Sequence, residues 1–203
     1  MATLPELLED LIRREFGPSE LAAVLALANS GAAAEAHTHR VADLLGAMVT
    51  VRRRSPSEIY EWAGLQLARH LSNALPVLTK NHTSARSMLL QVDALAHEVQ
   101  QRLLPGTASP HFWADLLDAQ TIRIGFDGPE LLARLLEGAV RGLCEHFDER
   151  ADVTRSLPPA ALTERRLVDV QITVERRANS GPVPAVGAER RSGGGTTGKP
   201  ARR

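Results

Sequence analysis

The feature that most constrains this fold is a change of hydrophobic period at Pro105. Upstream of it apolar residues recur at helical spacing; downstream they alternate. Residues 84–104 read as one long amphipathic helix. Its inward stripe is Met88, Val92, Leu95 with Ala96, Val99 and Leu103. After the Pro-containing connection, residues 112–116 and 121–126 read as short strands, the second with Ile122, Ile124 and Phe126 inward and Arg123 outward. Residues 129–147 return to helical spacing. Residues 151–157 and 166–175 read as strands, the latter alternating through Leu167 or Val168, Val170, Ile172 and Val174.

The helices before Pro105 are bounded by their own signals. Residues 5–29 are helical, with Gly17-Pro18 as a break and Ser19 as the cap of a second helix over 20–28. Residues 30–39 are Ala-rich and poorly patterned, a loop. Residues 41–51 are helical. Ser55-Pro56-Ser57-Glu58 opens a further helix, Ser55 as cap and Pro56 at the first position, running to about residue 71. Residues 73–84 read as a break. Helices first and then four strands with one inserted helix make an α/β fold of α+β type. It has an N-terminal helical subdomain plus a C-terminal four-stranded antiparallel sheet with packed helices.

Length and composition bound the rest. At 203 residues the chain fits one domain, expected over residues 1–176, and a tail. Residues 177–203 are rich in Gly, Pro and Arg without apolar period, the composition of a disordered segment. Aromatics make up only 3%, so Leu, Val and Ala carry the packing. A formal net charge of zero gives no global pull toward nucleic acid or anionic membrane, and neither is expected as a partner. No stretch approaches the roughly 18 consecutive apolar residues of a membrane span. The N-terminus has acidic residues early and no apolar core of a secretory signal. A single cysteine, Cys144, precludes an internal disulfide and suits a reducing cytoplasm, the expected location.

Several residues in this chain point further. The long helix contains Asp93-Ala94-Leu95-Ala96, with Val99 beyond it. Pro110-His111-Phe112 opens the first strand. Glu61-Trp62-Ala63-Gly64 lies on an earlier helix, and Leu135-Leu136-Glu137-Gly138 followed by Phe147 lies on the helix after the second strand. In order and spacing these resemble the heme nitric oxide/oxygen-binding (H-NOX) family over about residues 3–176. In that family the helix carries Asp-x-Leu-His, and its His ligates heme iron. Here the ligand position is Ala96. The family's Tyr-x-Ser-x-Arg, which holds the heme propionates, is here Phe126-Asp127-Gly128-Pro129-Glu130. Two hydroxyls are lost, and a carboxylate-binding guanidinium is replaced by a carboxylate.

The resemblance therefore implies a gas-sensor fold without the gas-binding chemistry: a heme-free regulatory domain, not an enzyme, with no cofactor expected. Its partner would be a signalling protein such as a histidine kinase or a cyclic-dinucleotide enzyme. The family's heme pocket would be lined here by Met88, Val92, Ala96, Val99, Pro110, Phe112 and Phe126, and it could serve a different, apolar ligand. The alternative is a heme-binding gas sensor with His97 as iron ligand. Successive helical residues are about 100° apart, so His97 lies at the edge of the stripe that Ala96 occupies. His111 is read as exposed.

Other signals weigh little. Gly193-Gly194-Gly195-Thr196-Thr197-Gly198-Lys199 has phosphate-loop spacing, but Pro200 stands where Ser or Thr would bind magnesium. His37-Thr38-His39 lacks a full ligand set, and no metal site is expected. Arg52-Arg53-Arg54 reads as a solvated turn. Cys144, among apolar neighbours, reads as a buried structural thiol.

Overall fold

The computed structural model describes residues 2–30, 37–104, 111–127, 130–156 and 167–176. Pro110, Gly128-Pro129 and the tail from residue 177 lie outside these. The elements are α1 (Leu4–Phe16), α2 (Pro18–Ala28), α3 (His37–Arg52), α4 (Pro56–Ala74), α5 (Pro76–Thr79), α6 (Ala85–Leu89) and α7 (Val92–Leu103). They are followed by β1 (Phe112–Leu116), β2 (Thr121–Asp127), α8 (Glu130–His146), β3 (Glu149–Ser156) and β4 (Leu167–Arg176).

The helix starts follow local chemistry. The Thr3 amide donates to the Glu6 carboxylate at 2.8 Å at the head of α1. At α4, Ser55 Oγ accepts the Glu58 amide at 3.3 Å while Glu58 Oε2 accepts the Ser55 amide at 2.9 Å. This is the reciprocal cap expected there. Between α1 and α2 the expectation needs correction. The cap is Gly17, whose φ of 90° suits a residue without a side chain, and Pro18 takes the first helical position. Ser19 is inside the helix. The break expected over residues 73–84 contains the end of α4 and the single turn α5, which Pro76 opens.

The long helix expected over residues 84–104 is two helices. α6 and α7 are separated by a tight turn in which the Gln91 amide donates to the Met88 carbonyl at 3.0 Å. Adjacent Met88 and Leu89 are 2% and 1% exposed, and Val92 is also buried; across the turn all three enter one core.

The sheet is fully antiparallel, in order β1-β2-β4-β3. Phe112 pairs with Phe126, Ile122 with Ile172 and Val153 with Ile172, so one face is continuously apolar. α6, α7 and α8 cover that face, α8 with Ala133, Leu136, Val140, Leu143 and Cys144. On the opposite face the Trp113 indole lies across Gly125, its register partner, where a Cβ would collide with the ring. β3 begins two residues earlier than expected because Asp148, at φ 55°, turns the chain sharply after α8.

A second core binds α1 to α4 around Leu8, Ile12, Val24, Leu44, Leu45, Met48, Ile59 and Ala63. α4 and α8 join the two halves by packing backbone to backbone. A Cβ at Gly64 would strike the Leu135 carbonyl, and one at Gly138 would strike the Glu61 carbonyl. At the rim Arg69 grips Glu145 with two hydrogen bonds of 2.7 and 3.1 Å, and Arg141 pairs with Glu61.

Candidate functional site

The site begins where α7 meets the first two strands. Phe112 starts β1 and Phe126 lies opposite it near the end of β2. Their ring centroids are 5.5 Å apart with planes tilted 38°. Both side chains are buried, Phe126 completely. Met88 from α6 and Val92 from α7 are buried in the same cluster, and Leu95, Ala96 and Val99 pack against it half-buried. The expected stripe is thus brought together on one side of α7 despite the kink. Of the pocket residues read from sequence, only Pro110 lies outside the described residues.

Asp93 fastens α7 to the sheet. Its Oδ1 accepts the Phe112 amide at 3.0 Å, and His111 Nδ1 lies 3.3 Å from the same oxygen. Sequence reading marked Asp93 only as part of a motif. Its position one turn before Ala96, at the rim of the apolar stripe, was the available signal for an anchoring role. The amide it satisfies comes from a strand 19 residues away, which spacing along the chain does not disclose.

His97 and His111 stand outside this cluster. His97 is exposed, and its Nε2 accepts the Gln101 side-chain amide at 2.7 Å. His111 is exposed as expected, its side chain 76% accessible. The residues of α7 therefore do not fit iron ligation as they stand. Ala96, which faces the core, offers a methyl group, while the only imidazole of α7, His97, faces away. Heme iron in proteins is held by His, Cys, Met or Tyr side chains. Among the described residues no group of three His, Cys, Asp or Glu converges as a metal site.

The remaining candidates fall elsewhere. Arg52 differs from the solvated turn read from sequence. It pairs with Glu20 at 3.0 Å and covers the Phe16 ring at 4.5 Å, while Arg54 pairs with Glu58 at 3.0 Å. Cys144 is buried at 1% exposure. Burial first, and then the nearby Glu149 and Glu145 carboxylates, push its thiol up to about 12, which holds it neutral and unreactive. The side chains of His37 and His39 and the Gly-rich tail motif lie outside the described residues.

Comparison with known proteins decides the family. The sequence profile of the haem-NO-binding family matches residues 1–155. The chain belongs to that family. The fold agrees: an H-NOX protein from S. oneidensis, solved in its Fe(II)NO state, superimposes with a TM-score of 0.68 at 15% identity. The match covers 87% of this chain and all of that one. A point mutant of the K. algicida H-NOX, in its unliganded Fe(II) state, gives 0.68 at 14% identity over 84% of this chain and 94% of that one. A point mutant of the T. tengcongensis H-NOX gives 0.67 at 13% identity over 84% and 94%. No match was found among curated protein sequences. The H-NOX family is one of gas-sensing regulatory domains, and this H-NOX chain shares its helical subdomain and four-stranded sheet. Among the described residues no helix is long and apolar enough to cross a membrane.

Proposed function

We propose that this chain is a heme-free H-NOX regulatory domain, acting by presenting a surface to a signalling protein and not by catalysis. The observation that carries this reading is on α7: Ala96 packs against the core cluster that contains Phe112 and Phe126, while His97 points outward and is bonded to Gln101. Pro110 aside, the side chains expected to line a heme pocket lie together in or against one core cluster. A void left there would cost about 20–25 cal/mol per Å3, so a pocket without heme is best filled by these side chains or by another apolar ligand. By family likeness the partner is a histidine kinase or a cyclic-dinucleotide enzyme. Residence in the cytoplasm belongs to the same reading.

The family match supports a second reading, a heme sensor, for which the ligand we propose is His97. It requires α7 to turn by about one residue's rotation, roughly 100°, breaking the Gln101 contact and the Asp93 anchor together.

Hemin titration separates the two. The purified chain is mixed with hemin and its visible spectrum recorded oxidised and reduced. A spectrum like that of free hemin is the expected result. A sharp Soret band at one-to-one stoichiometry that His97→Ala abolishes would overturn the heme-free reading in favour of the second.

A further inference from the structure

β3 is an edge strand: in the sheet order it neighbours only β4 among the described residues. Along it runs a cleft of about 590 Å3, lined by Glu149 to Thr154 and by Arg141, Cys144 and Glu145 of α8. Ala151 and Val153 belong to the apolar face of the sheet, yet they remain half exposed. A strand added beside β3 would supply hydrogen-bond partners on the side that no described strand covers. Its alternate side chains would enter this cleft.

The charge pattern of the strand selects the occupant. On the solvent face Arg150 and Asp152 are exposed and two residues apart, so their side chains lie on the same side, where they form an ion pair of 3.6 Å along the strand that a second copy would extend into a four-charge cluster. We infer that β3 pairs antiparallel with β3 of a second copy of this chain, about a two-fold axis through Ala151. In that register Arg150 of each protomer lies opposite Asp152 of its partner, twice. Ala151 lies opposite Ala151 over the cleft, and each Val153 lies opposite Glu149. The two-fold axis restricts the alternatives, since residues facing each other must point to the same side of the joined sheet. A slip one way sets Arg150 against Arg150; a slip the other way sets Asp152 against Asp152. Like charges directly opposite are unfavourable, so the same two residues that attract in one register repel in its neighbours. The contact is isologous and closes at two copies, giving a continuous eight-stranded sheet. It uses a face of the sheet remote from the α7 site and does not depend on the heme-free reading.

Sedimentation velocity of the full chain over a hundredfold range of concentration tests the inference. The expected result is a monomer–dimer equilibrium. Asp152→Arg places Arg opposite Arg at both contacts and should raise the dimer dissociation constant roughly tenfold or more. Arg150→Asp does the same with carboxylates. The double variant R150D/D152R restores complementary pairs and should restore the dimer; circular dichroism confirms that each variant is folded. A chain monomeric at every concentration overturns the inference. So does a dimer indifferent to both single substitutions, or a double variant no better than either single one.

Discussion

Asp93 on α7 and Phe112 at the head of β1 are joined by a hydrogen bond of 3.0 Å from the Phe112 amide to the Asp93 carboxylate. It holds the helix that carries Ala96 against the strand whose first side chain closes over Phe126. The orientation of α7, and with it the outward direction of His97, depends on this anchor and on the burial of Val92 and Leu103 at the two ends of the helix.

Removing the anchor should therefore loosen α7 in particular. Asp93→Ala leaves the half-buried Phe112 amide without its acceptor. A hydrogen bond to a charged group contributes about 1.5–3 kcal/mol, less here because Asp93 is partly exposed. A loss of about 1–2 kcal/mol in urea unfolding is expected, with faster amide exchange concentrated in Val92–Leu103. Unchanged exchange there would show that the hydrogen bond does not position the helix.

Two glycines in helices should respond to alanine with opposite signs. At Gly138 a methyl group meets the Glu61 carbonyl on α4, and forced overpacking costs about 1–3 kcal/mol. At Gly46, on the exposed side of α3, nothing lies within 4 Å of an added methyl. There the substitution should stabilise by about 0.5–1 kcal/mol through helix propensity alone. Thermal unfolding of both variants beside the parent gives the comparison, and equal effects would contradict backbone contact between α4 and α8.

Cys144 makes stability depend on alkaline pH. Its folded value is raised to about 12 from 9.0, so the folded state keeps a proton that the unfolded chain releases. The thiol's contribution is fully present below 9.0. It is lost as pH rises from 9.0 through about 12, at a limiting slope of about 1.4 kcal/mol per pH unit. Urea unfolding at pH 7.5 and pH 10 should show this decline in the parent and a shallower one in Cys144→Ala. At pH 8 a thiol reagent should react only after denaturant is added.

Placing an imidazole at Ala96 tests its position on α7. Ala96→His, alone or with Glu130→Arg, puts a nitrogen ligand on the side of α7 that packs against the core. Expected is a Soret band with hemin that the parent lacks. If neither variant gains heme, the space is occupied by packed side chains or Ala96 is not the ligand position of the family.

Much of the architecture was legible because it is set by local chemistry. The bounds of β1, Phe112–Leu116, are those read from the sequence. Ser55 and Glu58 form the cap that their spacing announces. Cys144 is buried as its apolar neighbours imply, and the motif around Asp93 and Phe112 led to the family that the profile match establishes. Other readings needed correction. Residues 84–104 have continuous helical periodicity, yet a turn in which the Gln91 amide meets the Met88 carbonyl divides them into two helices. Arg52 has the composition of a loop cation, but Glu20 and Phe16, far back in the chain, give it a packed role.

The alternation of the strands, the helix caps and the motif Asp93-Ala94-Leu95-Ala96 can be read from the chain directly. Those follow from side-chain chemistry within a few residues. Only the tertiary structure decided which way α7 faces: Asp93 reaches an amide on β1, Val92 and Leu103 bury its two ends, and His97 is left outside. Likewise the approach of Gly64 and Gly138 rests on two helices some seventy residues apart in sequence. A glycine shows in sequence only that space is needed, and the partner that fills it is set by the packing of the whole domain.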